Sequence, residues 1–249
     1  MMPSVAAAAV LLLCASGAGA QVVEPEQPIQ ELFTGETVFV QGRGELQLTT
    51  VLDGRKDGDA KSWTAAQEIQ YGVTDWFELD AALPFVNGLS STALSHAGLG
   101  DIELGVLLGL ARDIRTGAFS VGARVRLPTG DEAKGRGDGE TAPETVVIFG
   151  KAFGKAQLHA SAEVGFPNKA APKEWTYGAG VVVPTGRWRE TLELDARRAG
   201  DEDRLLLTPG LYFKPRKAFE IGVGVPIGLT QRSSDIGAVV VTTLGRGGR

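Results

Sequence analysis

From about residue 44 to near the end of the chain, apolar and polar positions alternate with a period of two. In Asp101–Ala111, Ile102, Leu104, Val106, Leu108 and Leu110 oppose Asp101, Glu103, Gly105 and Gly109. In Ala118–Leu127, Phe119, Val121, Ala123, Val125 and Leu127 oppose Ser120, Gly122, Arg124 and Arg126. The same alternation defines Glu45–Leu52, Ser62–Tyr71, Trp76–Phe85, Ala156–Phe166, Trp175–Val183, Thr191–Arg197, Ala218–Ile227 and Ile236–Leu244. Glu144–Phe149 is shorter, and Leu205–Tyr212 is apolar on both faces. These twelve segments predict twelve strands. Most have a length close to the roughly 9–11 residues with which a tilted strand crosses a bilayer. An even count suits a closed antiparallel barrel, which leaves no backbone N–H or C=O unpaired in hydrocarbon.

The connectors carry separate information. Those at 53–61, 86–100, 128–143, 167–174, 198–204 and 228–235 are long, and those between them are short. That alternation predicts long loops at the cell surface and short turns in the periplasm. Aromatic residues gather beside the short turns: Tyr71, Trp76 and Phe77; Phe149 and Phe153; Trp188; Tyr212, Phe213 and Phe219. They read as an interfacial girdle.

The N-terminus sets the compartment. Val5–Ala15 is an unbroken apolar run, too short to span as a helix, and Ala18-Gly19-Ala20 offers a signal-peptidase site before Gln21. The expected organisation is a signal peptide over 1–20, a polar periplasmic leader and lead-in to the barrel over 21–43, the barrel over 44–244, and a tail over 245–249. Cys14 is the sole cysteine and leaves with the signal, so thiolate and disulfide chemistry are excluded. The net charge of −5 gives no basic face for nucleic acid. The fold class is therefore all-β: a single antiparallel transmembrane β-barrel of about twelve strands after a cleaved signal peptide, placed in the cell outer membrane. Its partners are outer-membrane lipid, the barrel-assembly machinery and a small-molecule solute. A soluble exported β-sandwich is the competing architecture.

Tyr71-Gly72-Val73-Thr74-Asp75 leading into Glu78-Leu79 and Pro84, then Gly98-Leu99-Gly100-Asp101-Ile102 and Leu127-Pro128-Thr129-Gly130-Asp131, resemble motifs of an outer-membrane barrel family known as "MetA-pathway of phenol degradation". The resemblance runs over about residues 40–245. It implies a barrel that passes or binds hydrophobic or aromatic compounds, with no established catalytic residue. Barrels of this kind usually end on an aromatic residue recognised by the assembly machinery, and this sequence departs from that pattern at Thr243–Arg249.

Polar side chains on the face opposite the apolar positions are the candidate lumen-lining residues: Glu78, Asp80, Asp101, Glu103, Arg124, Arg126, His159, Ser161, Glu163, Glu193 and Asp195. The acidic and basic members fit either an ion-pair network that plugs or rigidifies the barrel or a charged constriction that selects solutes. Gly105, Gly109, Gly122, Gly178, Gly180, Gly222 and Gly224 lie on the same face and suggest interior space along a passage. His159 and Ser161, with Glu163 next along, have the residue types of a hydrolase nucleophile pair, but they share the polar face, not the lipid face such an enzyme needs. No catalytic residue, metal site or cofactor is assigned. The acidic loop Gly130–Glu140 lacks a calcium-loop spacing and reads as a solvated surface loop. Passage or binding of small, hydrophobic or aromatic solutes leads. A structural or surface-interaction barrel with a plugged lumen and a membrane-embedded lipid hydrolase are the alternatives.

Overall fold

A computed structural model describes residues 32–90, 93–94, 97–167, 173–200 and 202–246. The expected signal peptide and the first part of the leader lie outside the described residues.

Twelve long strands form one antiparallel sheet that closes on itself: β1 (Leu46–Asp57), β2 (Ala60–Thr74), β3 (Phe77–Ser90), β4 (Ile102–Ala111), β5 (Ala118–Leu127), β6 (Ala142–Phe153), β7 (Ala156–Gly165), β8 (Glu174–Thr185), β9 (Trp188–Ala199), β10 (Glu202–Arg216), β11 (Phe219–Gly224) and β12 (Ile236–Arg246). The seam joins β1 to β12 in unbroken register from Leu46 opposite Arg246 to Lys56 opposite Ile236. With the seam closed no strand is left at an edge, which is the condition for placing backbone amides in lipid.

All twelve segments expected from the alternation are strands. Several run on past the apolar pattern, because beyond the hydrocarbon zone an outward position no longer has to be apolar while the hydrogen-bonded ladder continues. Two of the expected long loops disappear as a result. β1 and β2 are joined by Gly58 and Asp59 alone, with Gly58 at φ 57°, and β9 ends at Ala199 where β10 begins at Glu202, with Gly200 at φ 60°. Both are tight hairpins, and the positive φ is why glycine stands there. Long connections remain at 91–101, 128–141, 166–173 and 225–235. β11 is also shorter than its pattern. Pro226 has no N–H to give the ladder, so regular pairing stops at Gly224 and resumes in a two-residue stretch, Ile227–Gly228.

The outer surface is apolar: Leu48, Leu79, Leu104, Val147, Leu192 and Val223 all point outward. Around the short-turn end Tyr71, Trp76, Phe149, Phe153 and Trp188 are exposed as a girdle should be, with Trp188 against Phe213 at 4.5 Å between ring centroids. Tyr212 departs from that expectation. It points inward at 1% exposure. Toward the other end, Trp63 stacks on Phe85 and Trp175 on Tyr177.

Candidate functional site

The barrel interior is not an empty lumen. Residues 32–42, expected in the periplasm as part of the leader, run inside the barrel. The correction rests on apolar content that a polar reading of the leader overlooked: Leu32, Phe33 and Val38 are each below 10% exposed. They sit in two apolar clusters. One joins Leu32 and Phe33 to Val182, Tyr212, Val239 and Val241. The other joins Val38 to Leu107, Ile114, Ala118, Val146 and Ile148, with Phe39 and Val40 alongside.

The segment enters at the short-turn end. Gly44 N donates to Gly72 O (2.7 Å), Gly72 N to Glu45 O (3.0 Å), and Arg43 N to Asp75 Oδ1 (3.1 Å). A Cβ at Gly72 would collide with the carbonyls of Gln41 and Gly42, so only glycine permits this approach. From there the chain climbs to Glu36 near mid-barrel and reaches Leu32 beside Gly180.

Inward side chains of the wall hold the backbone of this segment. Glu78 Oε2 accepts Gln41 N–H (2.6 Å), His159 Nδ1 accepts Val38 N–H (3.2 Å), and Ser120 Oγ donates to Val38 O (2.7 Å). The Glu193 carboxylate accepts Phe33 N–H (3.0 Å), Thr34 N–H (2.8 Å) and Thr34 Oγ1–H (3.0 Å). Glu36 reaches Arg124 with 2.7 Å between Oε1 and Nη1. Buried backbone donors need acceptors, and here carboxylates and an imidazole supply them.

Several inward glycines read as space along a passage prove to be the space the segment occupies. A Cβ at Gly180 would lie 2.6 Å from Leu32, and one at Gly222 or Gly224 would lie 2.9 Å from the Phe33 ring. Gly210, from the apolar segment of β10, is tighter still against that ring. Val40 covers Gly109, and Gly178 lies against Gly35. Gly105 faces the Asp80 carboxylate and Gly122 faces Val146 instead.

The structure brings the candidate residues together in three groups. Arg124 lies between Glu36, Asp80 (3.7 Å) and Glu163 (3.6 Å). Arg126 is gripped by Glu103 (3.0 Å), Glu144 (2.9 Å) and Asp138 (3.1 Å). Glu78, His159 and Glu193 bind the inserted segment. Ser161 and Asp195 face inward beside them. Ser161 packs at Gly178 and makes no hydrogen bond to His159 among the described residues, and Asp195 lies in the field of Arg197 and Arg55. Asp101 stands apart, just before β4, where its buried carboxylate accepts Gly130 N–H and Asp138 N–H (2.8 Å each). It thereby pins the 128–141 loop, which is an organised structure with a 3-10 turn at Glu132–Lys134, where a plain solvated loop was expected. Within that loop the Lys134 ammonium, and after it the Arg136 guanidinium, hold the Asp131 carboxyl below its ordinary range.

The sequence did carry one sign of the inserted segment. Leu107, Val146, Ile148, Val182, Val239 and Val241 stand at inward positions and are buried, which a water-filled lumen does not explain.

Comparison with known proteins bears on the fold. No family model matches the chain, and no curated protein matches it. Among solved structures it is similar to the COG4313 outer membrane channel from Pseudomonas putida F1, at a TM-score of 0.68 and 12% identity, over 84% of this chain and 98% of that one. The KdgM porin follows at a TM-score of 0.57 and 8% identity, over 80% of this chain and 98% of that one. The NanC porin gives 0.56 and 6%, over 82% and 100%. What these neighbours share with the chain is the fold: a closed antiparallel β-barrel of the outer-membrane type.

Proposed function

We propose that the protein is an outer-membrane channel for small solutes whose lumen is closed at rest by its own residues 32–42. The observation that carries this is the way the segment is held. It meets a ring of polar groups and glycine recesses on the wall, and apart from its own continuation into β1 no cross-link or continuous strand pairing ties it to the barrel among the described residues. A core needed only for stability is more simply built from side chains of the wall. The channel and porin folds of the neighbours support the same reading, as does the resemblance of the Tyr71–Asp75 and Leu127–Asp131 motifs to the phenol-degradation barrels.

Planar-bilayer recording on the full chain, refolded and checked by heat-shift electrophoresis, tests it. The expected result is rare openings in the wild type and frequent ones in Phe33→Ser. A folded barrel that stays silent in both forms is a structural barrel with a permanent plug, and the channel reading is then wrong. That second reading draws its support from the two apolar clusters. The hydrolase reading draws less support, because His159 Nδ1 accepts Val38 N–H and no hydrogen bond joins His159 to Ser161 among the described residues.

A further inference from the structure

The recess that holds Phe33 has features that an apolar packing site does not need. Its floor is glycine, from Gly210 on β10 and Gly222 and Gly224 on β11. One wall is the Tyr212 ring, stacked on Phe33 at 4.3 Å between centroids and 23° between planes. At its rim stands the Glu193 carboxylate, 1% exposed, accepting the Phe33 N–H. No basic side chain lies within salt-bridge distance of Glu193 among the described residues, in contrast to Asp80, Glu103, Glu144 and Glu163, which share Arg124 and Arg126. Beside Glu193 lie two buried hydroxyls without a hydrogen-bond partner among the described residues. Thr208 is directly across the ladder from it, and Thr191 is two residues along the same face of β9. Buried polar atoms left unpaired cost free energy unless something fills the site and bonds to them.

These groups match one ligand chemistry. Phe33 offers the recess a phenyl ring, two saturated carbons and an N–H. That is the skeleton of a 2-arylethylamine. A free arylethylammonium would put its ring against Tyr212 over the glycine floor and its positive charge on Glu193. The backbone amide of Phe33 has one hydrogen to give, whereas an ammonium has three. Its other two would reach acceptors at Thr191 and Thr208. Charge-assisted bonds of this kind are stronger than the neutral amide bond they replace.

We infer that the Phe33 recess, formed by Tyr212, Glu193, Thr191 and Thr208 on a glycine floor, is a binding site for a small aromatic ammonium solute that competes with Phe33 and so favours the open channel. The inference rests on the channel reading above. A solute that binds only when the segment is out shifts the population toward the open form.

The test uses 2-phenylethylammonium chloride and, as the opposite-charge control, sodium phenylacetate, on the full chain in planar bilayers. With the wild type, the ammonium raises the open fraction saturably and phenylacetate does not. In Phe33→Ser, already open, the ammonium produces a saturable partial block. Glu193→Gln in that background weakens the block by roughly tenfold or more, as expected for losing a charge-assisted bond. The double change Thr191→Val with Thr208→Val weakens it further without altering the ring preference. Equal potency of phenylacetate, or a Phe33→Ser channel that conducts but ignores the ammonium, overturns this inference alone. A Phe33→Ser barrel that is folded but never conducts overturns the channel reading and this inference with it.

Discussion

Replacing Phe33 with Ala gives the sharpest quantitative test of how the segment is held. Phe33 is 7% exposed, and its ring lies between Tyr212 and the glycines of β10 and β11. Truncating a fully buried Phe to Ala costs about 3–5 kcal/mol in a protein core. Here the lower end applies, because the recess can rehydrate from the lumen once the ring is gone. About 3 kcal/mol corresponds to roughly a 150-fold change in the equilibrium between inserted and released segment. Phe33→Leu keeps part of the volume and loses the stacking, so about 1 kcal/mol, or roughly fivefold, is expected. Single-channel recording on the full chain should therefore rank the open fraction as wild type, then Phe33→Leu, then Phe33→Ala, with the last two separated by more than a decade. Heat-shift electrophoresis establishes that each barrel is closed before it is measured. An unchanged open fraction in a correctly folded Phe33→Ala would show that the apolar anchor does not set the equilibrium.

Other substitutions probe other contacts. Glu36→Gln keeps a hydrogen bond to Arg124 but removes the charge, and Asp80 and Glu163 still partner the guanidinium, so the open fraction should rise only by roughly three- to tenfold. Gly72→Val drives a Cβ into the carbonyls of Gln41 and Gly42 and should unseat the entry of the inserted segment at Gly42–Glu45, seen as new protease cleavage near Arg43 in an intact barrel. Arg126→Ala leaves Glu103 and Glu144 without the guanidinium that joins them. Because these side chains are part-exposed, the loss should be about 1–2 kcal/mol, below that of a fully buried pair, read as a lower thermal unfolding midpoint in detergent.

The barrel was legible in the sequence because one physical demand, apolar outside and polar inside, repeats every second residue along each wall strand. Outside the hydrocarbon that demand lapses. The alternation therefore failed to show that β1–β2 and β9–β10 close through tight hairpins at Gly58 and Gly200. The candidate residues Glu78, Arg124, His159 and Glu193 came from the same alternation, and all four touch the inserted segment. The segment itself was not legible. Leu32-Phe33 and Val38-Phe39-Val40 are short apolar patches with no period, following the proline- and acid-rich stretch Glu24–Gln30. Their meaning depends on wall residues far away in sequence. Tyr212 was misplaced for a related reason: an aromatic beside a short turn suits a girdle, and only its parity along β10 puts it inside.

Under the channel reading proposed above, the strap at Gly42–Glu45 makes closure an event within one molecule. Gly44 and Arg43 are bonded at the barrel mouth and Leu46 already belongs to β1, so the released segment pivots about the mouth and stays near it. Its ten or so residues span at most ~35 Å when extended, and a short tether of this kind gives an effective concentration of about a millimolar or more. Reclosure therefore proceeds at a rate independent of how much protein the membrane holds. A free peptide copied from residues 32–42 would have to exceed that concentration to occupy the recess. Under the proposed channel reading, any solute that keeps the passage open must offset the same local advantage, so the channel would respond to abundant solute and ignore traces.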